Sequence, residues 1–297
     1  MALTQLTIGD ARFRAGRWRG RADLATLIPL TDARTLHRES LRAARAVLQN
    51  QGFSAVVTGP VGPPERTAFM QDDFSEREHL HLLRYDLPPR SQPGSATGRT
   101  LGGRHRPWQR RRPRTRRATR RDWDEILAVD QQSFDDFWHF DRDGLKDSIE
   151  ATPVSRLRII RGSDLADLDD NADSVDPPNR ANFTHPPERA ANTQAGNQPS
   201  RPSTQRSARS NELVGYALAG HSGGSGYLQR LAVHPACRQQ GIGTLLVDDA
   251  LWWIRRRGAV TGWVNTQKTN ESALRLYQKL GFTLQEHPLT VMYRTLT

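Results

Sequence analysis

The stretch YLQRLAVHPACRQQGIGTLLVDDALWWIRRRG, residues 227–258, decides the fold of this chain. Residues 227–233 form a mainly apolar run that ends at His234, which predicts a strand. From Ile242 onward apolar residues recur at helical spacing, until three arginines and Gly258 end the pattern. Cations suit the negative end of a helix, and glycine suits its C-terminal cap. The stretch therefore predicts a strand, a glycine-containing turn and a helix, which together indicate an α/β fold.

The turn between this strand and this helix is a candidate anion site. The first backbone N–H groups of a helix have no partner within it, and the helix dipole favours negative charge there. Gly241 and Gly243 have no Cβ, so a pyrophosphate can approach the backbone, and Arg238 can add a charge-assisted contact. The Gly-Lys-Ser/Thr sequence of phosphate loops and the third glycine of dinucleotide-binding turns are both missing. The turn thus predicts an anion site of a different class.

Two motifs in order carry a resemblance to a known family. Arg238, Gly241 and Gly243 fill the pattern [QR]-x-x-G-x-[GA], and residues 261–265 (TGWVN) match the strand that follows. The downstream pattern N-x-x-A-x-x-LY-x-x-x-GF is filled by Asn270, Ala273, Leu276, Tyr277, Gly281 and Phe282. In these residues the chain resembles the GNAT superfamily of acyl-CoA-dependent N-acyltransferases, over about residues 118–161 and 211–297. The resemblance implies an α/β (α+β) fold with a mixed, mostly antiparallel sheet flanked by helices.

The resemblance also implies a cosubstrate, acetyl-CoA, and a set of residues that bind it. The strand at Leu231–Val233 would splay from its neighbour and pair with the pantetheine arm, the turn would hold the pyrophosphate, and Asn270 would contact the pantetheine or the acyl region. The acceptor would be an amine on a small molecule or a protein, and no metal is implied. The predicted cofactor-binding residues are Leu231, Ala232, Val233, Arg238, Gln239, Gln240, Gly241, Ile242, Gly243, Thr244 and Asn270.

Tyr277 has two interpretations. It shares a helix face with Ala273 and Leu280, so periodicity alone favours a core tyrosine. The resemblance implies instead that Tyr277 is catalytic and protonates the departing CoA thiolate after direct attack by a neutral amine in a ternary complex. A phenol with a pKa of about 10 can donate that proton at neutral pH.

No residue stands out as the general base. Around RLAVHPACRQQGIG the chain resembles the ribosomal-protein N-terminal acetyltransferase branch, which has a glutamate where this chain has Asn265. Histone-type members have a glutamate where this chain has Tyr227. Glu286 and His287 are weak candidates, and a water relay is equally open. These departures argue against acetylation of protein N-termini.

The segment 133–141 (SFDDFWHFD) lies where the first helices of this family border the acceptor site. Its aromatic rings and aspartates are a candidate site for a cationic amine. An ordinary, partly buried connection between two helices is the favoured interpretation.

Composition predicts three parts. Residues 1–87 form a small α/β N-terminal domain with a helix–strand–helix–strand order, which is either an unrelated cap or a degenerate GNAT half without a CoA site. Residues 88–113 are a disordered linker rich in arginine and proline. Residues 114–297 form the GNAT domain, with a disordered insertion at 163–210. The predicted elements are helices at 31–50, 65–70, 122–132 and 142–150 and strands at 53–58, 80–85, 114–118, 156–161, 213–219 and 227–233.

The charge of the chain is concentrated in one segment. Residues 104–121 hold ten arginines and no acid, and without them 33 of the 43 basic residues remain against 32 acidic ones. This charge distribution argues against a protein that binds nucleic acid over a broad basic surface. A solvated linker that contacts nothing is the favoured interpretation of 104–121, and a salt-sensitive contact with nucleic acid is the alternative. A non-catalytic CoA-binding module that uses this segment to contact nucleic acid or an acidic partner is the second functional hypothesis.

The single cysteine excludes an intramolecular disulfide framework, and no apolar run approaches the length of a membrane span. We therefore expect a cytoplasmic enzyme without a membrane partner.

Overall fold

The computed structural model of this protein describes residues 3–88, 115–165 and 211–296. The first of these ranges folds into five strands and two helices. The strands are β1 (Thr4–Ile8), β2 (Ala11–Arg17), β3 (Leu24–Pro29), β4 (Ala55–Val57) and β5 (Ser75–Asp86), and the helices are α1 (Arg38–Asn50) and α2 (Pro63–Gln71).

The remaining described residues add seven strands and four helices. The strands are β6 (Arg116–Arg117), β7 (Val154–Arg161), β8 (Leu213–Ser222), β9 (Ser225–Val233), β10 (Thr261–Gln267), β11 (Thr283–Leu284) and β12 (Leu289–Thr295). The helices are α3 (Trp123–Ser133), α4 (Arg142–Ile149), α5 (Ile242–Arg256) and α6 (Glu271–Lys279).

One sheet of the described residues runs through both parts, in the order β1-β2-β3-β4-β12-β5-β10-β9-β8-β7-β6, with β11 beside β5. Its pairs are antiparallel except for β3 with β4 and β9 with β10. Next to each parallel pair in the sheet lies a strand from the other part of the chain. The C-terminal strand β12 lies beside β4, and the N-terminal strand β5 lies beside β10. The two parts therefore exchange strands at the centre of the sheet.

Helices cover both faces of the sheet beside the parallel pair β9–β10. On one face Tyr216 and Leu218 of β8 pack against α3, and on the other Ala217 and Ala219 pack against α5. A strand that is buried on both faces reads as a continuous apolar run, as in LVGYALA. A mixed, mostly antiparallel sheet flanked by helices is the predicted fold class, which is confirmed.

The prediction for residues 1–87 was wrong in its order, because three strands precede the first helix. In β2 small or apolar residues alternate with arginines, and Ala11, Phe13 and Ala15 are buried. This is the period-two pattern of a strand with one buried face. The helix predicted from residue 31 begins only at Arg38, because Asp32 caps a short 3₁₀ turn before it.

Other predicted elements are confirmed with small shifts. The predicted helix at 122–132 is α3, which follows a reciprocal cap formed by Thr119 and Asp122. The predicted strands at 156–161 and 213–219 are β7 and β8, which form an antiparallel pair. A hydrogen bond of 2.9 Å from the Gly162 N–H to the Glu212 carbonyl joins the two ends of the insertion. Residues 163–165 were predicted to be disordered, but they form a helical turn, where the Asp164 carboxylate accepts a hydrogen bond from the backbone N–H of Arg161.

The rest of the predicted insertion, residues 166–210, and all of the predicted linker except residue 88 lie outside the described residues. Most of residues 104–121, the segment with ten arginines, also lies outside them. At its described end Arg116 forms an ion pair with Asp122, and Arg117, Arg120 and Arg121 are exposed. The division of the chain into domains stays a prediction. None of the described helices is long and apolar enough to cross a membrane.

Candidate active site

The candidate site begins where β9 and β10 separate. Their parallel pairing covers only residues 225–227 of β9 and 261–263 of β10. Beyond that point β9 continues to Val233, and over Leu231–Val233 it pairs with β8 on one edge only. A cavity of about 390 Å³ opens at the divergence, and Leu231 and the end of β10 line it. The predicted splay is therefore present, and one edge of β9 is open there to a ligand, as far as the described residues show.

The predicted pyrophosphate turn directly follows β9. Gly241, with a φ of 79°, precedes α5, and no side chain among the described residues caps that helix. A Cβ on Gly241 would meet nothing within 4 Å, so its surface is open to a ligand. Gly243 instead allows close packing, because a Cβ there would lie 3.1 Å from Leu276 Cδ2. The helix N-terminus thus offers unpaired backbone N–H groups to an anion.

The side chains of the turn differ in what they can contribute. Ile242 is only 1% exposed, so any contact it makes with a ligand comes from its backbone. Arg238 is exposed, and its Nε lies 3.5 Å from the Val233 carbonyl oxygen. The turn lies outside the cavity wall, whereas Leu231 on the preceding strand is part of that wall. An elongated ligand along β9 would contact both. Exposed or half-buried positions complete the turn: Gln239, Gln240 and Thr244.

Asn270 lies on the cavity wall at the start of α6. Its Oδ1 accepts hydrogen bonds from the Ala273 N–H (3.1 Å) and the Ser272 hydroxyl (3.0 Å). The carbonyl end of its side chain therefore caps the helix, and the amide nitrogen is the end that a ligand could use. Its predicted contact with pantetheine stays a prediction.

Tyr277 combines both interpretations of the sequence. Its side chain is 4% exposed and packs against Phe282, with ring centroids 5.5 Å apart. It also lines the cavity. Burial in this apolar wall raises the pKa of the phenol above its usual value. The hydroxyl is therefore protonated at neutral pH and can act as a donor but not as a base.

The aromatic segment reaches the cavity, but its aspartates do not. Phe134, Trp138 and Phe140 line the wall. The Asp135 carboxylate accepts hydrogen bonds from the Phe137 and Trp138 N–H groups, both at 3.1 Å, and Asp141 caps α4. None of the three aspartates of the segment lies on the wall, and Asp135 and Asp141 accept hydrogen bonds from backbone donors. For the aspartates the structure therefore agrees with the favoured interpretation, an ordinary connection between two helices.

Behind the rings lies a buried ion pair that the sequence analysis missed. Asp130 is fully buried, and both of its oxygens accept hydrogen bonds from Arg230, at 2.8 and 2.9 Å. The Phe140 N–H (2.6 Å) and the Tyr216 hydroxyl also donate to this carboxylate. A charged residue inside the apolar run YLQRLAV was the available signal, because a buried arginine requires a carboxylate partner.

The weak base candidates are not in the cavity. Glu286 and His287 are exposed and absent from its wall, whereas Asn265 is on it. Asp147 is the only carboxylate among the described lining residues, and burial raises its pKa despite the nearby charge of Arg14. The described residues contain no group of three or more His, Cys, Asp or Glu side chains arranged to bind a metal.

Comparison with known proteins bears on the family and the fold of this chain. The acetyltransferase (GNAT) family matches residues 169–282, which confirms the predicted resemblance to the GNAT superfamily. [Ribosomal protein bS18]-alanine N-acetyltransferase of Escherichia coli is 34% identical over 55 residues, 18% of this chain and 37% of that protein. Aminoglycoside N(6')-acetyltransferase type 1 of Klebsiella aerogenes is 37% identical over 68 residues, 23% and 45% of the two chains. The chain thus spans less than half the length of these curated relatives.

Two solved structures resemble the whole fold. A GCN5-related N-acetyltransferase from Kribbella flavida has a TM-score of 0.53 at 11% identity, over 98% of this chain and 89% of that one. A tandem GNAT protein from the clavulanic acid biosynthesis pathway has a TM-score of 0.55 at 12% identity, over 97% and 79%. At these identities the likeness concerns the fold alone.

Proposed function

We propose that this protein transfers an acetyl group from acetyl-CoA to a primary amine, by direct attack within a ternary complex. The observation that carries the proposal is the divergence of β9 from β10, which opens a cavity beside a strand that leads to the uncapped N-terminus of α5. The open edge at Leu231–Val233 suits the pantetheine arm, and the turn Arg238–Thr244 suits the pyrophosphate. The match to the GNAT family supports the same assignment.

In this proposal the chain supplies binding and one proton. Acetyl-CoA supplies an activated thioester. The amine nitrogen attacks the thioester carbonyl carbon, a C–N bond forms and the C–S bond breaks. Tyr277 is the proton donor for the departing sulfur, because the apolar wall that keeps the phenol protonated also disfavours a thiolate. The amine reacts as the free base, the proton that its nitrogen loses leaves through water, and water returns a proton to Tyr277.

The test of the cosubstrate site is the variant Gly241→Val. A side chain at a φ of 79° costs about 1–2 kcal/mol, so it reshapes the turn that presents the N–H groups. We expect the affinity for acetyl-CoA, measured by calorimetry, to fall about tenfold. Gly223→Val is the matched control, since Gly223 has a φ of 55° and equally open surroundings in a hairpin turn away from the site. Equal affinities of Gly241→Val and the wild type would place the cosubstrate elsewhere.

A non-catalytic acetyl-CoA-binding module is the second candidate. Asn265 favours it, because this cavity-wall position carries a glutamate in the related ribosomal-protein branch. A thiol-release assay with a panel of primary amines separates the two. Release of CoA that depends on the amine supports the enzyme, whereas tight acetyl-CoA binding without release supports the module.

A further inference from the structure

Arg19 is a cation on the cavity wall whose role the acetyl transfer leaves unexplained. It lies in the turn between β2 and β3 with a φ of 48°, a left-handed conformation that is uncommon for a residue with a side chain. Its guanidinium carbon lies 4.6 Å from the ring centroid of Trp18, 5.0 Å from that of Trp138 and 4.8 Å from that of Phe140. Three rings thus fix the guanidinium at the cavity.

One nitrogen of this guanidinium has no partner. The Nη1 atom of Arg19 is buried and makes no hydrogen bond. Buried donors without a hydrogen-bond partner are rare in folded proteins, and burying a charged donor in this way costs more free energy of folding than burying a neutral one. Arg19 as a residue is only half-buried and lines the cavity, so an acceptor oxygen of a ligand in the cavity would compensate the charge of this guanidinium.

The surrounding charge is also unbalanced. Arg14, Arg17, Arg19 and Arg230 line the cavity; because Arg230 is paired with Asp130, three arginines remain against Asp147, the only carboxylate among the described lining residues. The nearby carboxylate of Asp130 is already engaged by Arg230 through two hydrogen bonds. Burial is the main cause that lowers the pKa of Arg19, and the neighbouring charge of Arg230 lowers it further, whereas the carboxylates of Asp130 and Asp135 raise it. The cavity therefore favours an anion.

The N-terminal part of the chain holds Arg19 against the C-terminal part. The Trp18 Nε1–H donates to the Phe137 carbonyl oxygen at 3.0 Å across 119 residues of sequence. Thr26 and Ile28 of β3 and Gly59 after β4 line the same cavity as the end of β10. Both divergences of parallel strands therefore open onto one cavity.

We propose that the acceptor is a small amine whose other end carries an anionic group, a carboxylate or a phosphate, and that Arg19 binds this group. The proposal rests on the acetyltransferase function proposed above. The amine would lie toward Tyr277 and the anion toward Arg19, since both residues line the cavity of about 390 Å³. The N-terminal part would then serve to select the acceptor.

The test compares three probes of similar length: propylamine, 3-aminopropanoate and 2-aminoethyl phosphate. For the wild type we expect kcat/KM for at least one anionic amine to exceed that for propylamine about tenfold or more, as a charge-assisted hydrogen bond would give. The better of the two anionic probes identifies the group. Arg19→Met keeps the apolar stem between the rings and should abolish the preference. Arg21→Met is the matched control in the same turn, because the Arg21 side chain is 46% exposed.

The outcomes separate the two proposals. Transfer to all three probes at equal kcat/KM, or an unchanged preference in folded Arg19→Met, overturns the role of Arg19 while acetyl transfer stands. Transfer to none of the three probes, and to no amine of the thiol-release panel, overturns the proposed acetyltransferase activity. In that case calorimetric titration of the wild type with the three probes still tests the anion site, and equal affinities would overturn it. If Arg19→Met does not fold, Arg19→Lys replaces it, with a partial loss expected because an ammonium lacks the planar fork.

Discussion

Replacing Arg230 with methionine tests the buried cluster that supports the cavity. Arg230 is 8% exposed and Asp130 is fully buried. The substitution removes the two hydrogen bonds to Asp130 and a third, of 2.6 Å, to the Trp138 carbonyl oxygen. Asp130 keeps its contacts with the Phe140 N–H and the Tyr216 hydroxyl but loses its hydrogen-bonded countercharge, and Arg19 stays only as a neighbouring charge. An uncompensated buried carboxylate costs about 3–5 kcal/mol, and methionine retains contact with the rings of Phe134 and Phe140.

Urea unfolding at neutral pH, followed by tryptophan fluorescence, measures this free energy. The control is Arg275→Met, which breaks an i,i+4 pair with Glu271 whose side chains are 70% and 72% exposed. Such a pair contributes about 0.5 kcal/mol or less. The double variant Asp130→Asn/Arg230→Met should recover part of the lost stability, because it no longer buries a carboxylate without its ion-pair partner. A loss below about 1 kcal/mol for Arg230→Met, or no recovery in the double variant, would refute the uncompensated-charge argument.

Three further predictions concern Tyr277 and the insertion. Tyr277→Phe should lower kcat about 10²-fold or more with unchanged acetyl-CoA affinity, measured by thiol release and calorimetry, and an unchanged kcat would make Tyr277 a core residue only. Because burial raises its pKa above about 10, the folded state holds the phenolic proton more tightly than the unfolded state. The free energy of unfolding should therefore fall more steeply above pH 10 in the wild type than in Tyr277→Phe, and parallel curves in urea titrations would contradict this. Replacing residues 166–210 with a short Gly-Ser bridge should preserve cooperative unfolding and acetyl-CoA affinity, because the Gly162–Glu212 hydrogen bond already joins the ends. Loss of either in calorimetry would show that the insertion takes part in the fold.

The sequence alone determined the local structure of the proposed cosubstrate site. Apolar spacing, two glycines and Arg238 within residues 227–258 predict a strand, a turn and a helix N-terminus, and the structure has all three in place. These features can be predicted from sequence because each depends on residues only a few positions away, through helical periodicity and backbone conformation. Tyr277 likewise lies on the helix that its spacing predicted.

The tertiary structure decided what surrounds that site. Arg230 and Asp130 are 100 residues apart in sequence, and Trp18 and Phe137 are 119 apart. The exchange of β5 and β12 between the two parts joins segments more than 200 residues apart. No local sequence pattern predicts which distant residues will pair, because the pairing depends on strand register and on which faces of the sheet and helices pack together. The anion-favouring cavity thus exists only once the N-terminal turn has packed against the aromatic segment, since long-range packing sets the distances between these charges.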